Sequence, residues 1–278
     1  MTLVPWLRRN PLLGYFAAAY GISWGGILVV LAITGFDLVQ LRPMDTGFIF
    51  VLMLLGPSIA GLAMRALLDG RPGLRELRWS LMRWRVGGRW YAVALLTAPT
   101  LLLAVLSAFS VVDEAFAPRF QWPLFAVGLL AGSFEEIGWT GFATPRLMAR
   151  QRLFMAGVSL GVAWALWHVM VDFRQNANAM GLAWLLEFAV LYIAALTAYR
   201  VLMTWVFAHT QSLLLAVLMH ASYTGWLIVV FPATSGTQGL AWQTAFAALL
   251  WVAAAVVFAG AAHPARLVSI KPAARHQR

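Results

Sequence analysis

The sequence predicts an all-α, polytopic transmembrane helical bundle of about eight spans, with both termini in the cytoplasm. Three observations lead there: a composition too apolar for a water-facing surface, apolar runs of membrane-crossing length, and a one-sided placement of Lys and Arg. Of 278 residues, 62% are hydrophobic and 11% charged, at a mean hydropathy of +0.79. Soluble domains carry about 25% charged residues, and a soluble fold of this size still needs a charged exterior. Lipid removes that need, because the outside of the protein can be as apolar as the inside. The fourteen Trp suit the same setting, since indole rings favour the membrane–water interface. There is no Cys, which excludes a thiol nucleophile, disulfides and thiolate metal ligands.

A helix crosses the hydrocarbon with roughly 20 apolar residues. On that measure the spans fall at 11–34, 46–68, 90–112, 122–143, 153–171, 183–199, 211–231 and 241–262. The connections are short and no repeat is visible. Residues 1–263 therefore read as one transmembrane domain, and 264–278 as a basic cytoplasmic tail. No A-x-A site follows the first apolar run, so no cleavable leader is expected.

The net charge of +10 suggests nucleic acid at first sight, but the cations alternate with apolar runs in the manner of a topology signal. With the N-terminus inside, the cytoplasmic segments hold Arg8, Arg9, the seven arginines from Arg65 to Arg89, Arg146, Arg150, Arg152, Arg200 and the four cations from Arg266 onward. The opposite side holds only Arg42, Arg119 and Arg174, a ratio of 17 to 3. The lipid bilayer is thus the expected surroundings, and nucleic acid is not a partner. Within the first long connection, 69–89 mixes Arg with Leu, Trp and Met at helical intervals. That pattern reads either as an amphipathic helix on the anionic leaflet or as a solvated topogenic loop.

Ionisable groups inside hydrocarbon are costly and are the first candidates for function. Glu135, Glu136 and Glu187 fall inside spans, as do His168 and His220. The other acids lie in connections. Two adjacent carboxylates in low dielectric repel each other, which suits one to be protonated or paired with a cation while the other acts as a base. His168 lies in the fifth span and His220 in the seventh, with Thr224 one turn beyond His220 on the same face. Converging on one cavity, two Glu and two His can bind water and activate it for attack on a carbonyl. Taken singly, each also reads blandly: an intramembrane His as a bond between helices, the Glu pair as a proton relay or ion site, Glu187 as a structural pair or a snorkelled end position. His209 reads as interfacial, and His263 and His276 as tail residues. No H-E-x-x-H helix, G-x-S-x-G elbow or P-loop is present.

At these residues the chain resembles the CPBP family, the CAAX-protease and bacteriocin-processing (Abi) membrane endopeptidases. That family's first motif, E-E-x-x-x-R followed by an aromatic and P-R-L, is matched by Glu135-Glu136-Ile-Gly-Trp-Thr140-Gly-Phe142 and Pro145-Arg146-Leu147. Its F-x-x-x-H is matched by Trp164-Ala-Leu-Trp-His168, and its H-x-x-x-N by His220-Ala-Ser-Tyr-Thr224. Thr140 stands where the family has Arg, and Thr224 where it has Asn. The likeness runs from about residue 50 to 225, with the motif core at about 122–231. It implies hydrolysis of a peptide bond in a peptide or membrane-protein substrate, by a multi-pass enzyme of the bacterial plasma membrane. Glu135 would be the general base and Glu136 a supporting carboxylate, with His168 and His220 as ligands or oxyanion stabilisers and Thr140 and Thr224 in support. The resemblance leaves open whether a Zn2+ or other divalent ion, on Glu136, His168 and His220, holds the water or whether the mechanism is metal-free. Two other classes compete: a non-catalytic transporter, immunity or scaffold protein retaining the fold, and a membrane enzyme acting on lipid. The absent repeat speaks against the transporter, and no anionic head-group pocket is evident for the lipid enzyme.

Overall fold

The computed structural model describes residues 3–36, 41–175, 181–234 and 236–261, so the basic tail, His263 and His276 lie outside the described residues. Helices occupy α1 Leu3–Arg9, α2 Pro11–Ile33, α3 Pro43–Leu81, α4 Gly88–Ser110, α5 Phe125–Gly138, α6 Thr144–Met148, α7 Leu153–Trp167, α8 Val169–Gln175, α9 Leu182–Phe188, α10 Thr197–Thr210, α11 Leu213–Val229 and α12 Gly236–Ala261. Two wider π segments, Trp139–Ala143 and Ala189–Leu196, join α5 to α6 and α9 to α10 without a break. No strand occurs among the described residues. The bundle is all-α, as the sequence predicts. Pro11 and Pro43 open α2 and α3 where a missing N–H costs nothing.

Six stretches are long and apolar enough to cross a membrane: Pro11–Ile33, Pro43–Leu81, Gly88–Ser110, Leu153–Asp172, Leu182–Thr210 and Gly236–Gly260. Helix also fills the other two segments read as spans, as α5 with its π segment and α6, and as the shorter α11. Large apolar side chains such as Leu13, Val29, Leu96, Val252 and Val256 stand exposed on the outside, as a lipid-facing exterior requires.

Of the two readings of 69–89, the helical one is found as far as Leu81. Gly70 breaks α3 with φ 62° and ψ −154°, a conformation open to glycine, and the chain then resumes as helix in a new direction. That last part of α3 is amphipathic, burying Gly73 and Leu77 while Arg75 and Trp79 stay exposed. Ser80 Oγ tethers it to the bundle, donating to Gln211 O (2.8 Å) and accepting from Leu213 N (3.1 Å).

Helices without a hydrophobic drive between them associate where small residues let backbones approach. α5 packs on α11 in this way: a Cβ at Gly128 would lie 2.4 Å from Gly225 N, and one at Gly132 2.6 Å from Val217 O. α7 meets α10 alike, since Cβ atoms at Gly157 and Gly161 would each lie 2.7 Å from a Cα of α10. These contacts set the height of α5 against α11 and of α7 against α10, and the candidate site lies among these four helices. Gly128→Ala should therefore destabilise the bundle by about 1–3 kcal/mol, the range for overpacking. Gly239→Ala on α12, where nothing lies within 4 Å, should leave the melting temperature in detergent unchanged. Equal melting of the two variants would mean that the close approach is not needed.

Candidate active site

α5 carries Glu135 and Glu136 in its last turn and then widens into the π segment. Pro145 has no N–H, so the carbonyl of Gly141, four residues earlier, has no helical partner there. Arg65 of α3 fills that place, donating from Nε (3.0 Å) and Nη2 (2.8 Å) to Gly141 O. Thr144 Oγ1 donates to Trp139 O at 3.0 Å, which closes the other end of the widened turn. Arg146 donates to Phe142 O (3.2 Å) and to Asp69 (2.6 Å) while its guanidinium covers the Phe142 ring. Gly138 lets α5 touch α3: a Cβ there would sit 2.1 Å from Pro57 O. Single π turns of this kind are frequent at functional sites, because they re-aim the side chains on either side.

Glu136 is fully buried, and both of its oxygens are engaged. Oε1 accepts from Arg200 Nη2 (2.7 Å) and from His220 Nδ1 (2.8 Å). Oε2 accepts from Arg200 Nη1 (2.9 Å) and from the Thr140 hydroxyl. The bidentate guanidinium holds Glu136 as a carboxylate. The His220 ring nitrogen facing it therefore carries the hydrogen, and Nε2 is the nitrogen turned away from the carboxylate.

Arg200 corrects the sequence reading. Counted there among cytoplasmic loop cations, it is fully buried on α10, inside the bundle. Its guanidinium lies 3.9 Å from the centre of the Trp164 ring, held between an aromatic face and a carboxylate. Without it, sixteen cations stand against three in the sequence count behind the expected orientation.

Glu135 is 3% exposed and has a different environment. Its Oε2 accepts from the indole N–H of Trp164 (2.8 Å) and of Trp139 (3.2 Å). Its Oε1 accepts no hydrogen bond from any described residue. Trp164 links the groups further, with its ring edge-to-face on His220 at 4.7 Å between centroids. His168 closes α7 and is half-buried; its Nδ1 donates to Trp164 O at 2.9 Å, so its Nε2 is left free. Trp167 and Tyr192 flank the His168 ring at 4.9 and 5.1 Å.

Of the residues expected in the site, Glu135, Glu136, Thr140 and His220 thus share one network, and His168 joins through Trp164. Thr224, one turn past His220 on α11, is half-buried and makes no side-chain hydrogen bond among the described residues. Glu187 on α9 forms neither a hydrogen bond nor an ion pair with the pair of glutamates. His209 lies exposed at the end of α10, against Trp90 and Trp205.

The set Glu136, His168 and His220 does not fit a divalent ion as placed. Both oxygens of Glu136 already serve a guanidinium, a hydroxyl and an imidazole. A dication there would have to displace a buried cation. No three His, Cys, Asp or Glu side chains gather as a ligand group among the described residues.

Fold and site together define a polytopic membrane protein with a buried carboxylate–imidazole centre, and the similarity to known proteins falls on that centre. Residues 117–226 match the type II CAAX prenyl endopeptidase Rce1-like family, a stretch that contains both glutamates, both histidines, Thr140, Thr224 and Arg200. The chain is also similar to CAAX prenyl protease 2 of Methanococcus maripaludis, at 28% identity over 142 residues covering 46% of this chain and 51% of that protein. It spans about half the length of this curated relative.

Proposed function

We propose that this chain is an intramembrane endopeptidase that hydrolyses a peptide bond with a water activated by Glu135. The observation that carries the reading is the unequal use of the two carboxylates. Glu136 is saturated by Arg200, Thr140 and His220, whereas Glu135 keeps one oxygen free, and the Trp164 that donates to its other oxygen contacts both imidazoles.

A base must reach its water at about 2.6–3.2 Å, and Oε1 of Glu135 is the oxygen available to do so. Glu135 takes a proton from the water as the water oxygen bonds to the peptide carbonyl carbon. The carbonyl oxygen gains the negative charge and is received by the Thr224 hydroxyl, a hydrogen-bond donor, while the free Nε2 of His168 accepts the water's other hydrogen. Collapse of this intermediate breaks the C–N bond, and Glu135 returns its proton to the leaving amine. Glu136 takes no part in the transfer; it holds His220 in place.

The substrate class is a membrane-borne peptide or protein, met within the bilayer of the bacterial plasma membrane. Prenylated CAAX peptides, the class in the relative's name, are the first to try beside unmodified ones. The test is cleavage by the purified protein in detergent or liposomes, with and without a strong chelator. Cleavage at the same rate in both conditions is expected. Loss on chelation with recovery on adding Zn2+ would place the water on a metal and overturn this mechanism. Absence of cleavage of any membrane peptide, by folded protein, would return the chain to the non-catalytic class.

A further inference from the structure

Position 140 and the guanidinium of Arg200 share one space. Thr140 Oγ1 lies 3.4 Å from Arg200 Nη1, and both donate to the same oxygen of Glu136. Thr140 is four residues beyond Glu136 on the helix, within side-chain reach of it even for a short hydroxyl. A longer side chain at 140 would enter the volume that Arg200 fills from α10, and everything around that volume is buried: Glu136, Arg200 and His220 are at most 1% exposed.

We infer that Arg200 is the positioning cation of this site, and that it works as a coupled unit with Thr140: the residue at 140 is small because the cation arrives from α10. The inference rests on the proposed hydrolytic reading for its kinetic consequences, and on the geometry alone for its consequences for folding. Arg200 is fully buried and acts through its neighbours. It fixes the Glu136 carboxylate from two directions, and the carboxylate in turn holds Nδ1 of His220. The Trp164 indole, which orients Glu135, lies against the other face of the same guanidinium. One cation therefore sets the directions of both the base and the imidazole.

The coupling makes the cation movable. An arginine at 140 can reach Glu136 only when the side chain at 200 has been shortened. Thr140→Arg alone forces two guanidinium groups into one buried volume, and Arg200→Thr alone leaves Glu136 without a cation. Joined in one chain, the two changes exchange the residues and restore one cation for one carboxylate.

The experiment is a double-mutant cycle on the full chain, reading melting temperature in detergent and cleavage kinetics. Both single variants should melt below wild type. The Thr140→Arg/Arg200→Thr variant should melt above either single variant, a non-additivity expected only of groups in contact. In kinetics, Arg200→Thr should lose about 100-fold in kcat with KM little changed, the scale of a displacement of roughly 1 Å in a positioned group. Arg200→Lys should recover part of that loss, and the exchanged variant should recover more than Arg200→Thr. Additive melting shifts, or an exchanged variant that fails to fold, would overturn the inference whether or not the protein is a peptidase. Wild-type kcat in Arg200→Thr would overturn its role in positioning. If the wild type cleaves no peptide, the proposed function fails and the melting cycle still decides the coupling.

Discussion

Glu135→Gln is expected to reduce peptide hydrolysis by about 10²–10⁴-fold, the range for loss of a general base. The amide matches the carboxylate in volume and keeps an oxygen to accept from the indoles of Trp164 and Trp139. What it lacks is the ability to take the water's proton. Folding should be close to wild type, because a neutral amide costs less to bury than a carboxylate. Substrate affinity should change little, so the loss should fall on kcat rather than KM. Melting in detergent and single-turnover cleavage together separate the outcomes. A variant that folds and cleaves at the wild-type rate would remove Glu135 from the mechanism. A variant that melts far below wild type would show that the carboxylate holds the fold instead.

The contrast between the two glutamates is the part of the site that sequence reasoning reached only halfway. Adjacent carboxylates within an apolar run were legible as a site, because hydrocarbon makes an uncompensated charge too costly to persist. Their division of labour depends on which neighbour each one meets, and those neighbours come from α7, α10 and α11. Arg200 was missed for a physical reason. Cations near span ends usually face the aqueous side, and the apolar window of the sixth span closes at 199, next to it. The helix in fact runs on to Thr210, with Arg200 followed by Val201, Leu202 and Met203, all buried. That apolar continuation, together with a threonine where the resembling family carries its cation, was the available signal. The π segment at Trp139–Ala143 left no trace in periodicity, since one widened turn shifts the hydrophobic pattern too little to detect. Its only mark is Pro145, which frees the carbonyl that Arg65 then takes. The apolar runs carried the rest of the fold: in lipid every backbone group must be satisfied within its own helix, so length and hydropathy alone place most of the elements.

Glu136→Ala is expected to damage the protein more broadly than Glu135→Gln, and through stability first. The substitution leaves the Arg200 guanidinium buried with no carboxylate, its Nε already lacking a partner. Removing one member of a buried ion pair costs about 3–5 kcal/mol, because the remaining charge is uncompensated. His220 loses its acceptor in the same step, and Thr140 loses the oxygen it donates to. A large fall in melting temperature is expected, with loss of cleavage in whatever protein remains folded. The physical cause can be separated from simple loss of packing by removing both charges at once. Glu136→Leu with Arg200→Met fills the volume with apolar groups of similar size, and such replacements of buried pairs are often neutral or stabilising. The double variant should therefore melt well above Glu136→Ala, yet stay inactive, because nothing then orients His220. Recovery of stability without recovery of cleavage would establish that the pair is kept for the geometry of the site rather than for the strength of the fold. A double variant as unstable as Glu136→Ala would mean that the bundle needs the ion pair itself for its stability.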